Sequence, residues 1–585
     1  MRSPLLLLAL LAFVDCATGP HPRDRPAQAE PVQLTIVGTN DLHGWVQPHE
    51  ARLSNGTEVR SGGLAVFASE VARLREENPG GVVLVDAGDL FQGTLVANLT
   101  EGAVVIAAYN ALGYDAAAIG NHEFDYGPLG PRSIALEPGD DPLGALAARA
   151  AQARFPLLGR NVYLASSGER LPFLAKGGLA IVERKGIKIG LLGLVTPTTP
   201  TVTNPLNVAG LRFTALTDEA RKAAAELRAQ GADVLVALVH ASGSCALTDP
   251  RSLEGCDLRS EIFEMIGALP ERTFDALVAG HTHGRLGHFV NGTALLESGS
   301  FGTHFGTIDL FVDPASRRVL ADRTRIRAAL PICAQVFEHT GDCDARRGEG
   351  AGELVPATFD GAPIAPDAKL EALLDPFLDT VAAEQRRSLG ISVPRTLARD
   401  SRAESALGDA IADALREMEG ADVALLNSGG FRADLRSGEL TFGALYEVLP
   451  FDNAIATLQV TGAELVQMLE GLLSGKHGVP QTSGLRFEVE SCPGRSRIGA
   501  INLADGRPFD RAATYRLVTS DFLALGGDGL GPPMGAVPQN RKDLGRGRDQ
   551  NMRDALAQYL ERKARPLEGR VEGRMVLKPG AGCRR

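Results

Sequence analysis

The sequence has no excess of basic residues, no CxxC motif and no long apolar run after its first fifteen residues. Lysine and arginine number 60 against 71 aspartate and glutamate residues, which gives a net charge of −11. That balance argues against a nucleic-acid groove or an anionic membrane surface as the main partner. The missing CxxC argues against a thioredoxin-type redox site or a cysteine zinc site. Small anionic substrates stay open, because a bound metal ion can reverse the local field.

The first residues, MRSPLLLLALLAFVDC, are typical of an export signal, with one arginine followed by about ten apolar residues. This run is too short to span a bilayer as a stable helix. Ala27–Ala29 has the small-x-small pattern of a cleavage site but lies far from the apolar run. Cys16 lies at a better distance, as in a lipoprotein, although Val14 and Asp15 before it fit a lipobox poorly. We therefore expect export to the periplasm or cell surface, with soluble release and a lipid anchor through Cys16 both open.

The cysteine count of the exported chain predicts disulfide bonds. Of seven cysteines, six remain if Cys16 is removed or lipidated, and an even number in an exported protein favours disulfides. Six cysteines allow fifteen pairings, so the pattern stays open. The interpretation that we favour pairs Cys245 with Cys256, Cys333 with Cys343, and Cys492 with Cys583.

The chain changes character along its length, which predicts two domains of 32–335 and 391–578. In the first, short apolar runs alternate with helical stretches, an α/β pattern. The second has an α+β pattern of helices and strands that end in glycine turns. Residues 336–390 are predicted to be a junction, in which a helical stretch over 365–388 contains Pro376 and is therefore kinked or broken. Residues 1–29 are predicted to be a signal peptide and linker, and 579–585 a tail.

Five strand-like runs of the first domain end in residues that bind metals. Asp41 and His43 lie two apart on an extended segment, so their side chains share one face. The sequence holds only 11 histidines, and five of them lie at these strand ends. Ligands at strand ends of an α/β sheet converge on one crevice, so the pattern predicts a metal site. The residues at the five ends are Asp41 and His43; Asp86 and Asp89; Asn121, His122 and Asp125; His240; and His281 and His283.

These motifs resemble those of the calcineurin-like metallophosphoesterases. The segments NDLHG, DAGDLFQG, GNHEFD, VH and GHTH occur in the order seen in the 5′-nucleotidase family, which includes periplasmic UDP-sugar hydrolases and ectonucleotidases. In the second half, NSGGFR, LPFDN, SGLRF and DFLALGGDG are similar to motifs of that family's C-terminal domain. The resemblance covers about residues 32–578. It implies an α/β protein, in which a metallophosphoesterase β-sandwich flanked by helices precedes an α+β nucleotide-binding domain.

The resemblance also implies two divalent metal ions and the residues that hold them. Asp89 would bridge the ions, which mixed Asp, Asn and His ligands suggest are Zn, Mn, Co or Fe. A water activated by the metals would attack phosphorus, with His122 stabilising the transition state and Asp125 orienting His122. Asp86 is expected to make hydrogen bonds rather than bind metal, and Gln92 and Glu123 receive no role. The remaining ligands would be Asp41, His43 and His283 for one ion, and Asn121, His240 and His281 for the other.

For the substrate, the resemblance implies that Phe451 and Phe522 grip the base between their rings. Stacking on two planar apolar faces suits a purine or pyrimidine. The family usually has an arginine where this chain has Ser401, and Arg402 beside it is the expected substitute; Ala406 and Asp409 depart from the pattern too. The other expected substrate contacts are Asp528 to the ribose hydroxyls, and Asn427, Gly429 and Arg432 to phosphate or base.

The sequence therefore predicts a hydrolase that releases phosphate from nucleoside 5′-monophosphates. Cleavage of UDP-sugars or other nucleotides as additional substrates stays open. A 2′,3′-cyclic nucleotide 2′-phosphodiesterase with 3′-nucleotidase activity is the main alternative, because GNHEFD fits both. An enzyme that cleaves sulfate from a carrier protein fits the paired phenylalanines less well. A non-catalytic exported binding protein conflicts with the intact ligand set. A nucleotide is the expected partner and a nucleic-acid polymer is not; the oligomeric state stays open.

Overall fold

A computed structural model describes residues 30–579 apart from 54, 131–132, 136–138, 247–248, 349, 475–477, 493–494 and 546–549. The predicted signal peptide and linker and most of the predicted tail therefore lie outside the described residues. Within the described part of the chain, no helix is both long and apolar enough to cross a bilayer.

The first half is built on two six-stranded sheets that pack face to face, as the prediction of a β-sandwich requires. Their facing side chains form one apolar core, which includes Ile36 and Val85 from one sheet and Val236 and Val278 from the other. In spatial order, the first sheet holds Arg325–Pro331, His304–Val312, Val32–Thr39, Val82–Asp86, Ala116–Ala118 and Leu157–Leu158. The second holds Arg285–Val290, Thr293–Ser298, Ala276–Gly280, Val234–His240, Ile187–Val195 and Leu179–Arg184.

Helices cover the outer faces of this sandwich. Central strands such as Val82–Asp86 and Val234–His240 are buried along their whole length. This explains why they are near-continuous runs of branched apolar residues, as strands covered on both faces are. The helices of this half are Leu64–Glu77, Leu95–Leu99, Ala103–Leu112, Gly144–Gln152, Thr199–Val202, Pro205–Val208, Leu216–Ala229 and Glu261–Gly267.

Parallel pairing brings the predicted metal ligands to one edge of the sandwich. Strand Val32–Thr39 runs parallel to Val82–Asp86, which runs parallel to Ala116–Ala118. In the other sheet, Val234–His240 runs parallel to Ala276–Gly280. Within each sheet these carboxyl ends point the same way, and each of the five carries or is followed by predicted ligands. The two sets meet, because the His281 N–H donates to the Asp41 carboxylate of the other sheet.

The connecting helix differs from one of the predicted alternatives. It extends over Ala368–Gln385 and continues through Pro376, so the expectation of a broken helix is wrong. Proline removes one hydrogen bond to the carbonyl four residues earlier. Here that carbonyl belongs to Ala372, and both Ala372 and Pro376 are exposed, so water can satisfy the group.

The second half has the predicted α+β character. One sheet holds Pro480–Ser483, Val423–Asn427, Thr514–Ser520, Ile455–Thr461 and Lys542–Asp543, and a smaller one Arg495–Leu503, Leu485–Cys492 and Met575–Pro579. Its helices are Ala406–Glu419, Phe442–Val448, Gly462–Ser474, Asp521–Ala524, Gly531–Ala536 and Met552–Lys563. Two-stranded pairs elsewhere join His49–Arg52 to Glu58–Ser61, Val162–Leu164 to Leu211–Phe213, Gln335–Phe337 to Leu354–Pro356, Thr358–Phe359 to Ala362–Pro363, and Ser388–Val393 to Gly438–Thr441.

Two of the predicted disulfides are formed. Cys245 is bonded to Cys256 and Cys333 to Cys343, which confirms both local pairs. Cys583 and the side chain of Cys492 lie outside the described residues, so the third pair stays a prediction.

Candidate dimetal active site

Three of the predicted metal ligands form a compact group of donor atoms. One donor atom each from Asp41, His43 and His283 lies within 4.8 Å of the other two. The two imidazole Nε2 atoms are 3.1 Å apart, and His283 Nε2 is 3.5 Å from Asp41 Oδ1. His283 lies 240 positions after His43 in the sequence, and the fold brings the two together.

A second group adjoins the first, and Asp89 lies between the two. Asp89, His240 and His281 offer donor atoms that lie within 4.8 Å of one another. Asp89 Oδ2 is 3.0 Å from His240 Nε2 and 3.7 Å from His43 Nε2. Asn121 joins this group, with its Oδ1 at 3.2 Å from His240 Nε2. One carboxylate oxygen thus faces both groups, which is the position that the predicted bridge requires.

The backbone of these residues is held in an unfavourable conformation. Asp41, His43, Asp89, His281 and His283 have φ values of +50°, +50°, +58°, +88° and +55°. The left-handed region is uncommon for residues other than glycine, and such strain clusters at functional sites. Five of the seven predicted ligands have a positive φ. The loops therefore keep a less favourable backbone conformation that places the ligand side chains at the site.

Hydrogen bonds behind the site fix which ring nitrogen faces it. His43 Nδ1 lies 2.8 Å from the Gln92 carbonyl oxygen, and His240 Nδ1 lies 2.9 Å from that of Ala87. Backbone carbonyls in this position hold Nδ1 protonated and leave the lone pair of Nε2 free to bind a metal ion. Asp86 is not part of either donor group. Its carboxylate accepts hydrogen bonds from Thr39, Tyr109 and Gly88.

The donor set fits a pair of divalent transition-metal ions. Nitrogen and carboxylate oxygen ligands suit Zn, Mn, Fe or Co better than Ca. Burial, reinforced by the Arg432 guanidinium, holds the pKa of His43 well below its usual range, and the same causes act on His283. Both rings are therefore neutral and have a lone pair available, as metal binding needs. Close packing supports the arrangement: a Cβ at Gly120 would lie 2.2 Å from Asp89 Oδ1.

The predicted catalytic pair is in contact and has a third member. His122 Nδ1 lies 2.5 Å from Asp125 Oδ2, and the Thr203 hydroxyl donates to Asp125 Oδ1 at 2.5 Å. The His122 backbone N–H donates to Asp89 Oδ1 at 2.9 Å, which ties the pair to the metal ligands. Burial lowers the pKa of His122, but the Asp125 and Asp89 carboxylates outweigh it and leave the pKa above its usual value.

Glu123 is an important residue of the site that received no role from the sequence. Its buried carboxylate accepts backbone N–H groups of Asp89 at 2.9 Å, Leu90 at 2.7 Å and Gly120 at 2.5 Å. Burial raises its pKa to about 7, with the Asp89 carboxylate adding to the effect. Glu123 thereby clamps together the two loops that carry Asp89 and Asn121. The only sequence signal was its place inside GNHEFD.

Replacing Glu123 should loosen the site without removing a ligand. We expect Glu123→Gln to weaken metal binding about 10- to 100-fold, the usual effect of losing an outer-shell partner. In wild type both carboxylate oxygens of Glu123 accept hydrogen bonds from backbone N–H groups. In the variant, the glutamine NH₂ would replace one of these acceptors with a donor. The measurement is competition for metal against a chromophoric chelator, with circular dichroism to verify folding. Glu371→Gln, on the exposed side of the connecting helix, is the matched control. Equal metal affinity in the two variants would contradict the role of Glu123.

The second half of the chain lies against the metal groups. Arg432 Nη2 is 3.1 Å from His43 Nε2, and the guanidinium lies 5.8 Å from the centre of the Phe451 ring. The rings of Phe451 and His122 have centroids 5.6 Å apart. Burial and the nearby Arg399 lower the pKa of Arg432 to about 10, so it stays protonated at neutral pH. An aromatic face and a cation therefore adjoin the catalytic histidine.

The other predicted substrate residues surround one cavity. Asp528 Oδ2 accepts a hydrogen bond from Asn427 Nδ2 at 2.6 Å, and burial raises the Asp528 pKa to about 6. The cavity has a volume of about 1110 Å³ and also reaches Asp89, Asn121 and His122. Its lining in the second half includes Arg402, Asn427, Gly429, Arg432, Phe451, Phe522 and Asp528.

The loop that departs from the family pattern also lines this cavity. Ser401 and Arg402 are both on its wall, as is Arg399, which the sequence did not single out. Arg399 Nη1 donates to the Phe431 carbonyl at 3.0 Å, beside Arg432. Arg399 and Arg402 thus supply two cations near the place where the family's arginine is absent.

Two family models match the chain in sequence order. The model described as calcineurin-like phosphoesterase matches residues 34–285, and the 5′-nucleotidase C-terminal domain matches residues 382–534. The chain belongs to the 5′-nucleotidase family of calcineurin-like metallophosphoesterases. Its two-part α/β architecture, as predicted, is that of the family.

Curated relatives and a solved structure align along most of the chain. Protein UshA of Escherichia coli is 26% identical over 534 residues, which is 86% of this chain and 87% of UshA. Endonuclease YhcR of Bacillus subtilis is 25% identical over 95% of this chain, which spans only 42% of YhcR. The crystal structure of a 5′-nucleotidase precursor from Thermus thermophilus superposes with a TM-score of 0.71 at 27% identity, covering 93% of this chain and 99% of that one.

Family membership and site geometry together define the reaction class. The protein is a metal-dependent phosphoester hydrolase, and the family acts on nucleotides. The calcineurin-like domain is that of enzymes with a dimetal centre, and the two adjoining donor groups provide the residues for one.

Proposed function

We propose that the protein hydrolyses nucleoside 5′-monophosphates and releases phosphate. The observation that carries this proposal is the single cavity that joins Asp89 and His122 to Phe451, Phe522 and Asp528. A nucleoside monophosphate has the matching order of groups: a phosphoryl group, a ribose diol and a flat base. The 5′-nucleotidases of Vibrio cholerae and Thermus thermophilus among its relatives support the same substrate class.

The metal-binding part of the proposal follows the two donor groups. Asp89 would hold both ions, and the nitrogen and oxygen donors suit Zn, Mn, Co or Fe. When bound, such ions polarise phosphoryl oxygens and lower the pKa of a bound water. The other ligands would be Asp41, His43 and His283 for one ion, and Asn121, His240 and His281 for the second.

The protein itself stabilises the charge that develops on the phosphoryl group. His122, held by Asp125 and Thr203, presents a protonated imidazole to the phosphoryl oxygens. Arg432 adds a buried guanidinium, whose fork fits oxyanions. Both cations are fixed in place before the substrate arrives, so little reorganisation is needed during the reaction.

The nucleoside is held by the second half of the chain. Phe451 and Phe522 offer apolar faces for the base, and Asp528 accepts hydrogen bonds from the ribose hydroxyls. Gly429 and Asn427 shape the wall beside them, and Arg402 adds positive charge near the phosphate. Stacking on aromatic side chains is tolerant of base identity, so we expect several nucleotides to be substrates.

The division of labour follows the predicted domains. Residues 32–335 bind the metals, 391–578 bind the nucleoside, and 336–390 join them. We also propose that residues 1–29 direct export to the periplasm or cell surface, as a soluble protein or through a lipid on Cys16.

One feature of the cavity favours UDP-sugars as additional substrates. Its volume of about 1110 Å³ exceeds the roughly 300–1,000 Å³ of ordinary ligand sites. Beyond the metal groups, Ser242, Ser244, Ser260 and Glu261 line an arm of it. Glu261 Oε2 accepts from both the backbone N–H and the hydroxyl of Ser242 at 2.9 Å. Such hydroxyl and carboxylate groups suit a sugar attached to the phosphate.

The test is phosphate release from a substrate panel, measured with wild type and Phe451→Leu. The panel holds AMP, UMP, a 3′-nucleotide, a 2′,3′-cyclic nucleotide, UDP-glucose and p-nitrophenyl phosphate. We expect 5′-nucleotides to be the best substrates. Losing one stacking face should lower kcat/KM for AMP about 5- to 160-fold, from the roughly 1–3 kcal/mol that stacking contributes, and leave p-nitrophenyl phosphate within about twofold.

Phe311→Leu, on the strand His304–Val312, second from the edge of the first sheet, controls for the loss of a ring elsewhere. Preference for the cyclic or 3′-nucleotide would favour the alternative nucleotidase. Equal losses on AMP and p-nitrophenyl phosphate would contradict the role of Phe451. Failure to hydrolyse any substrate with any of the four metals would favour a binding protein.

A further inference from the structure

Gln92 is a buried polar side chain whose hydrogen-bonding groups are unused. It is 2% exposed. Among the residues that the structure describes, neither its Oε1 nor its Nε2 has a hydrogen-bond partner. Most buried polar groups are paired, because leaving one unpaired destabilises the folded protein. An amide that stays unpaired in the folded protein is therefore a candidate for pairing with a ligand.

The main chain of Gln92 is fixed at the metal site. Its carbonyl accepts from His43 Nδ1 at 2.8 Å, and the N–H of Gly93 donates to Asn98 Oδ1 at 2.9 Å. A Cβ on Gly93 would lie 2.2 Å from the His43 carbonyl oxygen, so the segment is closely packed. The side chain therefore cannot find a partner through a shift of its backbone.

Gln92 lies on the path between the two halves of the site. It lines the cavity together with Asp89 and Asn98. Asn98 Nδ2 donates to the Pro450 carbonyl at 2.8 Å, which places this wall next to Phe451. Gln92 therefore belongs to the part of the cavity wall that runs from the metal ligands towards the second half of the chain.

We propose that Gln92 is a further substrate-binding residue, whose amide N–H donates a hydrogen bond to a phosphoryl oxygen. This inference rests on the proposed function. A phosphoryl oxygen is the group of the substrate that lies nearest to Asp89 and His43, and its negative charge favours an amide donor. Hydrogen bonds to charged groups are the stronger class, so one such bond would compensate for the unpaired amide in the free protein.

The test uses Gln92→Met, which keeps the length of the side chain and removes its polar atoms. We expect kcat/KM for AMP and the affinity for inorganic phosphate, measured as a competitive inhibitor, each to fall about tenfold or more. We expect Gln92→Glu to fall further, because a carboxylate repels phosphate. The melting temperature of metal-loaded, substrate-free Gln92→Met should rise, because an unpaired buried amide has been removed.

Gln481 provides a matched control for stability. It is also buried, but its Oε1 accepts from Ser405 at 3.0 Å and its Nε2 donates to Ala403 at 2.8 Å. Gln481→Met should therefore lower the melting temperature, the opposite of Gln92→Met. If Gln92→Met fails to fold, Gln92→Asn replaces it as the test variant. It keeps the amide on a shorter side chain and should also weaken phosphate binding.

The outcomes separate this inference from the proposed function. Unchanged phosphate affinity in a folded Gln92 variant, or a lower melting temperature in Gln92→Met, would overturn the inference. A loss confined to AMP, with phosphate and p-nitrophenyl phosphate unaffected, would also overturn it, because the contact would then be to the nucleoside. Weaker phosphate binding in a protein that hydrolyses no nucleotide would support Gln92 while refuting the proposed substrate class.

Discussion

An Asp89→Ala variant should lose at least about 1,000-fold in kcat and bind fewer metal ions. Asp89 Oδ2 is the atom that faces both donor groups, at 3.0 Å from His240 Nε2 and 3.7 Å from His43 Nε2. Removing it leaves each group one ligand short. The charge stabilisation that a dimetal centre provides is the largest contribution expected in this site. The measurements are AMP hydrolysis and metal content by elemental analysis of the desalted protein.

Two variants make the Asp89 result specific. Asp379→Ala, on the exposed side of the connecting helix, should retain full activity and metal content. His240→Ala removes a ligand of the second group only and should retain more metal than Asp89→Ala. An Asp89→Ala protein that still holds two ions per chain and keeps kcat within tenfold of wild type would show that the bridge lies elsewhere.

The position of the metal site could be predicted from the sequence because its signal is local. Each ligand follows an apolar run that is long enough for a buried strand, and carboxyl ends of parallel strands share an edge. The sequence alone therefore predicts one crevice that holds Asp41 and His43 together with His281 and His283. The same local logic predicted the disulfide between Cys333 and Cys343, whose loop is short.

Other features of the site depend on contacts across the fold, which a single sequence does not contain. The positive φ of Asp41 and His281 results from loops that close against each other, since the His281 N–H donates to the Asp41 carboxylate across the two sheets. Glu123 acts on backbone groups more than 30 residues earlier. Gln92 is informative only because it lacks a partner, which is visible only when its surroundings are known.

The connecting helix shows a different reason for a wrong expectation. Pro376 signals a break through its local chemistry, and that signal is usually informative. The outcome depends on whether water can reach the freed carbonyl, which is set by the face of the helix that the fold buries. Here the proline lies on the exposed face, while Leu370 and Leu374 are buried, so the helix continues.

A His122→Ala variant should lose about 100- to 1,000-fold in kcat, the range for removing one positioned group that stabilises charge in the transition state. Metal content should change little, because the residue is not among the donor groups; this separates it from Asp89→Ala. The test is steady-state kinetics on AMP with elemental analysis of the same samples. His339→Ala, at an exposed position, is the control, and a His122→Ala protein with kcat within fivefold of wild type would refute the assignment.

The double variant His122→Ala/Asp125→Asn tests how the pair acts. Asp125 contacts His122 Nδ1 at 2.5 Å and is itself held by Thr203. If Asp125 works only by orienting and charging the imidazole, its replacement has no further effect once the imidazole is gone. We therefore expect Asp125→Asn alone to lower kcat, and the double variant to be no slower than His122→Ala. Additive losses would instead mean that Asp125 interacts with the substrate or with a metal-bound water independently of His122.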